Sequence, residues 1–454
     1  MITKTGQKLS NTSIWEKLHW TRAHTFILIL FSLQILLLFP GIGLIRAPIR
    51  VASFGIGLCF LVLLPTTESK KHPANGLAII VLAIMLLQFG LHPYINSVTA
   101  GLGQTMMYLA ILSPLFWVRR LKITANGFDS LMFLMWGINT LSSIVGVLQV
   151  YYPGKFVFAV STVIENNQFG GDNLLITLAN GTQVYRPMGL TDVPGGAATS
   201  GLYALLFGIV IALKHKETIL RILGIASGGL GLFCIYLTQI RSVLVLAAIS
   251  MVFLAFVLLK TGQIARATAM ISSVTGLFIG TFFWALAIGG QSTLQRIISL
   301  FASSPQEVYQ QNRGYFLQST VDGLLPKYPL GAGLGRWGII NNYFGDNTYW
   351  VSQPIYVEIQ WTGWLLDGGV PLILAYTALL YVACQTAWNI AINRKLGDFA
   401  LWGGLIFAYD IGVVALTFNY PIFISQGGME FWLLNTALFV AAGSILGKKP
   451  LDVR

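Results

Sequence analysis

Apolar runs of roughly 20 residues recur along almost the whole chain, and a run of that length is what an α-helix needs to cross a bilayer. Hydropathy over a window of roughly 19 residues picks out about twelve such runs. They are 25–45, 48–65, 75–92, 98–118, 129–151, 196–214, 218–238, 241–260, 267–289, 363–388, 398–417 and 428–447. Only 10% of the residues are charged, against roughly a quarter in soluble domains. The sequence therefore predicts an all-α polytopic membrane protein with about twelve transmembrane helices, in which residues 1–454 form a single membrane domain.

Lys and Arg residues are distributed unevenly between the two sides of the predicted spans. With the N-terminus in the cytoplasm, nineteen of the 28 fall on the inner side and nine on the outer side. Cytoplasmic loops carry the excess of positive charge in such proteins, so both termini are predicted to be cytoplasmic. The net charge of +12 thus reflects topology and gives no indication of a nucleic-acid partner. The chain begins with a polar stretch and its first apolar run is long, so we expect no cleavable signal peptide and a location in a bacterial inner membrane.

Two of the loops are long, and both fall on the predicted outer face: residues 152–195 and 290–362. Long loops are usually functional or disordered, and the aromatic and aliphatic content of segments such as WVSQPIYVEIQW argues against disorder. Within the second loop, QSTLQRIISLFASS and NRGYFLQSTVDGLLPKYP have the pattern of short amphipathic helices at a membrane surface. LGAGLGRWG at 330–338 does not follow a strand, so it is predicted to be a flexible turn and not a nucleotide-binding loop.

Three arginines on the predicted outer side, Arg186, Arg241 and Arg313, each lie next to a long loop. One interpretation is an interfacial anchor that reaches lipid headgroups. The alternative is anion capture, because a guanidinium stays charged and its planar fork matches phosphate oxygens. Arg241 favours this alternative, since no other charge lies between Ile222 and Leu259. Two or three guanidinium groups that converge at the bilayer edge would suit a lipid diphosphate and stabilise it as a leaving group.

The acidic residues show no metal-binding pattern. Those on the predicted outer side are scattered, without the spacing of a DxD or EF-hand motif. They are Asp172, Asp192, Glu307, Asp322, Asp346, Glu358 and Asp367. The sequence therefore predicts neither a metal site nor a cofactor.

Four segments between residues 180 and 390 resemble, in order and spacing, the pattern of the bacterial O-antigen ligase and O-antigen polymerase family. They are RPMGLTDVPGGAA, TQIRSVLVLAA, NRGYFLQSTVDGLLPKYPLGAGLGRW and QPIYVEIQWTGWLLDGGVP. The resemblance implies the membrane-embedded glycosyltransferase C-type fold, and transfer of a glycan from a polyprenyl-diphosphate donor to an acceptor sugar hydroxyl. It also implies that Arg241 and Arg313 hold the diphosphate while Arg186 assists.

The last of these segments departs from the family pattern. Where ligases of the family carry a histidine that activates the acceptor hydroxyl, this chain has Gln353, and Pro354 follows in place of asparagine, whereas Tyr356 fits. Gln353 is not a base, although it could orient a sugar hydroxyl. A base must reach the acceptor proton; Glu358 and Asp367 are the candidates, with packing or helix capping as the alternative for each. The departure favours a polymerase over a ligase.

Aromatic residues are concentrated in and after the second long loop. They are Trp337, Tyr343, Phe344, Tyr349, Trp350, Tyr356, Trp361 and Trp364. An interfacial belt explains most of them, with stacking on sugar rings as the alternative; Trp337 and Tyr356 are therefore candidate acceptor contacts beside Gln353.

Asp410, in the middle of the eleventh predicted span, is either part of a proton path or hydrogen-bonded within the bundle. Glu430, at the start of the twelfth, is predicted to be interfacial.

These observations favour an inner-membrane polysaccharide polymerase that acts on the outer face. Its partners would be a polyprenyl-diphosphate-linked oligosaccharide, an acceptor glycan or glycolipid and the membrane lipids, with a chain-length regulator left open. An O-antigen ligase acting on a lipid A core is the alternative within the family. A secondary anion transporter would concentrate its polar residues at the bilayer midplane, and a flippase would need a cationic central cavity; here the polar residues lie in the two outer loops.

Overall fold

The computed structural model describes residues 20–39, 41–42, 45–65, 70–157, 174–299, 304–346, 348 and 353–447. Asp172, Tyr349, Trp350 and both chain termini lie outside the described residues. The cytoplasmic location of the termini therefore stays a prediction. Every other residue singled out from the sequence is described.

Twelve helices of 15 residues or more make up most of the described chain. They are α1 (Arg22–Leu36), α2 (Arg46–Leu63), α3 (Asn75–Leu91), α4 (Val98–Trp117), α5 (Ala125–Tyr151), α6 (Ala197–Lys214), α7 (Thr218–Thr238), α8 (Arg241–Lys260), α9 (Ile264–Ile298), α10 (Gln360–Ala391), α11 (Ala400–Leu416) and α12 (Gln426–Ile445). Shorter helices and turns are Val118–Arg120, Pro153–Phe156, Gly338–Phe344, Arg394–Phe399 and Ile422–Ile424. Within the described residues, ten helices are long and apolar enough to cross a membrane, whereas α1 and α3, at 15 and 17 residues, are shorter. The predicted helical multi-pass membrane architecture is confirmed, while the count of twelve spans stays a prediction.

The helices differ in how deeply they are packed. α4, α6, α11 and α12 are largely enclosed by their neighbours, whereas α2 and α9 are exposed along most of their length. Glycines bring α6 and α7 into close contact, since a Cβ on Gly201 would lie 2.5 Å from the carbonyl oxygen of Gly231. This close contact fixes the N-terminal end of α6 beside the C-terminal end of α7. The segments that carry Arg186 and Arg241 extend from those two ends.

The helix α9 is interrupted at Gly290, whose backbone angles (φ 56°, ψ −144°) are not helical. The predicted span ends one residue earlier, at 289. The piece beyond it, 291–298, is the first part of the predicted amphipathic segment QSTLQRIISLFASS. The peptide N–H of Ala179 donates to the carbonyl of Ile288 at 2.9 Å, so the first long loop packs against the interruption.

The helix α10 contains a second interruption, at Gly369 (φ 65°, ψ −157°), which the sequence analysis did not predict. The peptide N–H of Val370 donates to the carbonyl oxygen of Pro329 at 2.9 Å. A Cβ on Gly369 would lie 2.2 Å from that same oxygen, so both space and backbone conformation require glycine here. The turn 330–338 begins at this contact and packs against α10.

The first long loop contains a two-stranded antiparallel hairpin, formed by β1 (Leu175–Thr177) and β2 (Gln183–Tyr185). Strands of three residues carry too little alternation to be recognised in a sequence, and the hairpin was not predicted. Arg186 follows β2 directly, and its peptide N–H donates to the carbonyl of Leu174 at 2.9 Å. The strand pairing thus fixes the backbone at Arg186.

The second long loop contains a continuous helical segment over 305–327, named the loop helix below. It includes two wider turns of π type, Gln310–Gly314 and Ser319–Leu324. Such turns are rare in helices and occur frequently at functional sites. Arg313 lies in the first of them. The predicted amphipathic helix NRGYFLQSTVDGLLPKYP is therefore the larger part of a longer helical segment.

Candidate anion-binding site

A cavity of about 750 Å³ lies at the end of the bundle where α8 begins, and arginines line it. Arg186, Arg241 and Arg313, which the sequence singled out from separate segments, all reach this cavity. A fourth arginine, Arg296, joins them from the piece of α9 beyond Gly290. The sequence analysis placed Arg296 on the outer side but gave it no role. Its place in an amphipathic segment that follows a glycine-terminated span is the signal that could have identified it.

Two of the motif segments pack directly on one another beside the cavity. The segment after Arg186 turns back, and the peptide N–H of Gly195 donates to the carbonyl of Pro187 at 3.1 Å. A Cβ on Gly195 would lie 2.5 Å from Cδ1 of Ile240, the residue that precedes Arg241. The glycine thus permits a close contact that brings the backbone near Arg186 to the start of α8. Two arginines 55 positions apart in the sequence consequently line one cavity.

Gln239 connects α7 to α8 in a left-handed backbone conformation (φ 56°, ψ 25°). Among the described residues it is the only one other than glycine with a positive φ. Its side-chain amide donates to Ser292 Oγ at 3.0 Å and to Thr293 Oγ1 at 3.3 Å. These bonds tie the start of α8, with Arg241, to the piece of α9 that carries Arg296. Unfavourable backbone conformations of this kind persist where the surroundings hold them, and they cluster at functional sites.

We expect Gln239→Gly to separate stability from activity. Glycine adopts the left-handed conformation without strain, which offsets the stability lost with the side chain, so the melting temperature should change little. Loss of the two side-chain hydrogen bonds, each worth about 1 kcal/mol, should loosen the position of Arg241 relative to Arg296. The glycan transfer expected from the sequence should then be roughly tenfold slower. Ser292→Ala combined with Thr293→Val, which leaves the backbone at 239 unchanged, should slow it similarly. Full activity in both variants would show that the tie plays no part in positioning the arginines.

The guanidinium groups create a strong need for negative charge in the cavity. Burial lowers the pKa of Arg186, and the nearby positive charges of Arg296 and Arg241 lower it further. Arg186 Nε is buried and has no hydrogen-bond partner among the described residues, which is costly for a donor. None of the described residues that line the cavity is Asp or Glu. A bound anion would supply both the missing acceptor and the missing charge.

Two acidic residues of the adjoining segments, Asp192 and Glu358, already form ion pairs. Asp192, in the same motif segment as Arg186, is buried and pairs with Arg50 of α2 at 2.6 Å. Glu358 forms an ion pair with Arg313 but is not itself among the described residues that line the cavity. Arg313 therefore contacts both a carboxylate of the chain and the cavity.

The inner part of the cavity is apolar. Val245, Leu246 and Ile249 line it from α8, and Ala415 and Leu416 from α11. Above them, the loop helix is held over the cavity because the Tyr309 hydroxyl donates to the carbonyl of Phe418 at 3.2 Å. The site thus combines a cationic rim with an apolar groove between two helices of the bundle. This combination matches a ligand with an anionic headgroup and a hydrocarbon chain.

Asp367 and Trp337 lie outside the cavity, and the roles first considered for them are corrected. Asp367 is fully buried and accepts hydrogen bonds from Gln104 Nε2 at 2.9 Å, Tyr108 Oη at 2.8 Å and Trp337 Nε1 at 2.8 Å. Trp337 is only 2% exposed, so its ring faces are not accessible to a sugar. Both residues were misplaced because the interruption at Gly369 brings the turn 330–338 against α4 and α10. They hold the loop to the bundle.

We expect Asp367→Asn to keep most of the activity, whereas Asp367→Ala should fold poorly. Asparagine still accepts two of the three hydrogen bonds through its single oxygen, while alanine leaves all three buried donors unsatisfied, at about 1–3 kcal/mol each. A general base would behave differently, since its amide variant typically loses 100-fold or more. Folded yield by size-exclusion chromatography, together with turnover per folded molecule, distinguishes the two roles.

Gln353 and Tyr356 are exposed beside the loop helix. Tyr356 is 66% exposed, and its ring packs against Phe316 with the ring centroids 5.9 Å apart. The backbone carbonyl of Gln353 accepts a hydrogen bond from Arg336 Nε at 3.1 Å. The side chain of Gln353 is exposed. Because Tyr356 is two residues before Glu358, this segment runs close to the Arg313 ion pair. Its position leaves the proposed acceptor contacts open to a soluble or lipid-linked glycan.

The intramembrane carboxylates are hydrogen-bonded within the bundle. Asn435 Nδ2 donates to Asp410 Oδ1 at 2.9 Å, which is one of the two alternatives considered from the sequence. Glu430 is buried and accepts a hydrogen bond from the Tyr203 hydroxyl at 2.8 Å, and its interfacial depth stays a prediction. Neither residue is among those that line the arginine cavity.

The fold and this cavity define the chain as a polytopic α-helical membrane protein with a cationic, amphipathic site. Compared with protein-family models and with curated proteins, the chain matches none. Among the described residues, no three His, Cys, Asp or Glu side chains come together as metal ligands.

Proposed function

We propose that the protein is a membrane glycosyltransferase that uses a polyprenyl-diphosphate-linked glycan as its donor, and that it polymerises a polysaccharide on the outer face of a bacterial inner membrane. The observation that carries the proposal is the cavity where four arginines meet an apolar groove. A diphosphate carries several negative charges, and planar guanidinium groups bind its oxygens in pairs. The polyprenyl chain would follow the groove between α8 and α11.

The arginines would act on the leaving group. In glycan transfer, the acceptor hydroxyl oxygen bonds to the anomeric carbon while the bond from that carbon to the diphosphate oxygen breaks. The bonding electrons stay with the diphosphate, whose charge therefore grows in the transition state. Fixed positive groups aimed at developing charge are usually the largest single contribution to such catalysis. Arg186, Arg241 and Arg296 would supply that field directly, and Arg313 would join them when it exchanges Glu358 for the diphosphate.

Glu358 is the candidate to receive the acceptor proton. It forms an ion pair with Arg313, and Tyr356, two residues earlier, is exposed and could contact an acceptor. A diphosphate that binds Arg313 would compete with the carboxylate for the same guanidinium. Donor binding would then free Glu358 to act as the general base. Loading of the donor would thereby be coupled to activation of the acceptor.

A polymerase is favoured over a ligase because Gln353 stands where the ligases of the family that this sequence resembles carry a histidine. A transporter or a flippase is disfavoured because the arginines are gathered at one end of the bundle and not at the bilayer midplane. The glycosyltransferase C-type fold remains part of the proposal.

The proposal is tested with the purified full-length protein and a polyprenyl-diphosphate-linked oligosaccharide. A ladder of lengthened lipid-linked products on a gel is the expected result. A single transfer seen only when a lipid A core glycolipid is added would replace the polymerase with a ligase. The absence of product with every acceptor, combined with donor movement across liposome membranes, would replace the enzyme with a carrier.

A further inference from the structure

A second cationic cavity lies at the opposite end of the bundle. Its volume is about 380 Å³, and it lies between the C-terminal end of α6, the N-terminal end of α7 and the N-terminal end of α9. The charge distribution predicts that this end faces the cytoplasm. None of the residues proposed to act in glycan transfer lines this cavity. The length of the helices separates it from the arginine cavity.

Four cations line the rim of this second cavity: Lys214, Lys216, Arg221 and Arg266. No Asp or Glu is found among its described lining residues. Two of the cations have partners beyond the lining, since Lys214 forms an ion pair with Asp129 and Arg266 one with Asp398 at 2.7 Å.

The other two cations, Lys216 and Arg221, are not neutralised by any described residue. Arg221 Nε donates to the backbone carbonyl of His215 at 2.9 Å, which leaves its charge uncompensated. Lys216 has no carboxylate partner among the described residues. The nearby Glu217 is largely exposed and lies 3.9 Å from His215 Nδ1. The rim therefore presents two positive groups that an anion can bind.

The depth of the second cavity is apolar. Ile209 and Leu213 line it from α6, Ile225 from α7, and Ala269 and Met270 from α9. These residues lie at the level of the membrane-spanning part of their helices, below the cationic rim. A soluble anion would use the rim alone and leave the apolar walls without a partner. A lipid would use both, with its phosphate at the rim and an acyl chain between the helices.

We propose that this cavity binds an anionic phospholipid from the leaflet predicted to be cytoplasmic. Basic pockets between transmembrane helices on that side are suited to phosphate headgroups, because the leaflet itself is negatively charged and presents them at that depth. The lipid would bridge α7 and α9, two helices joined across the cavity by few polar contacts of their own. It is a ligand of the scaffold and is independent of the glycan reaction.

The test measures lipid binding by native mass spectrometry of the full-length protein in detergent, with phosphatidylglycerol as the probe and phosphatidylethanolamine as the zwitterionic comparison. Lys216→Gln and Arg221→Gln should each weaken phosphatidylglycerol binding about fivefold, the equivalent of the roughly 1 kcal/mol that a basic residue contributes near an anionic surface. Ile225→Gln, which changes no charge, should weaken it by a similar factor. Lys122→Gln, an exposed cation at the same end but outside the cavity, should have no effect.

Three outcomes would overturn the inference. Equal binding of the two lipids to the wild type would mean that charge does not select the occupant. Equal phosphatidylglycerol binding by all the variants would place the bound lipid elsewhere on the protein. Displacement of the lipid by glycerol phosphate, which carries the headgroup charge without acyl chains, would assign the rim to a soluble phosphate compound. Since binding is the readout, none of these outcomes depends on whether the protein is a glycosyltransferase.

Discussion

Replacement of Arg241 or Arg296 by alanine is expected to slow glycan polymerisation by about 100- to 1,000-fold, the range found when a single group that stabilises transition-state charge is removed. Both guanidinium groups line the cavity, and both lower the pKa of Arg186 through their charge. Lysine at either position keeps the charge but loses the planar fork. The lysine variants should therefore be intermediate in rate. Initial rates of ladder formation, measured with saturating donor, report the effect.

Arg296 provides the sharper of these two tests, because none of the segments that resemble the known family includes it. Lys155→Ala is the matched control, since Lys155 is an exposed cation on the same predicted side and does not line the cavity. A normal rate in Arg296→Ala, with Arg241→Ala impaired, would reduce the site to the arginines that the resemblance implies. Normal rates in both variants would remove the cavity from the reaction.

Glu358→Gln is expected to lower the turnover number by about 100-fold or more, because an amide cannot take the acceptor proton. Donor affinity should hold or increase, since Arg313 then loses a competitor for the diphosphate. Arg313→Ala should instead weaken both donor binding and turnover. The ion pair is partly exposed, so its loss should cost at most about 1 kcal/mol of stability and both variants should fold.

The control for this second experiment is Asp322→Asn, which removes an exposed carboxylate from the same loop helix. Isothermal titration with a donor analogue gives the affinity, and the gel assay gives the turnover. If Glu358→Gln turned over at the wild-type rate, the carboxylate would be a structural partner of Arg313 and the base would have to be sought elsewhere.

The helices could be predicted from the sequence because each span needs a long apolar run, and such runs are local. The end of the ninth span before Gly290 followed for the same reason. The meeting of Arg186, Arg241 and Arg313 at one cavity was expected from chemistry and from a family resemblance. The C-type fold and the activity themselves stay predictions.

What the sequence did not reveal depends on contacts between distant segments. Trp337 looks like an interfacial aromatic residue until Gly369 interrupts α10 and lets the turn 330–338 reach α4. Asp367 looks like a candidate base in the sequence because its hydrogen bond with Trp337 depends on that same contact between distant segments. Arg296 was overlooked because its candidate role depends on the three other arginines that line the cavity, and these lie on three other segments. The hairpin before Arg186 is simply too short to leave a pattern.

The crowding of guanidinium groups around the first cavity also has a thermodynamic consequence. Like charges held together in a partly buried space oppose folding, and among the described carboxylates the ion pair of Glu358 with Arg313 relieves only part of that repulsion. A ligand that binds only the folded state raises its stability in proportion to the logarithm of ligand concentration. The diphosphate lipid would then act as a component of the native fold as well as a reactant. Thermal shift in detergent, read across a panel of anions, would rank candidate donors before any acceptor is known.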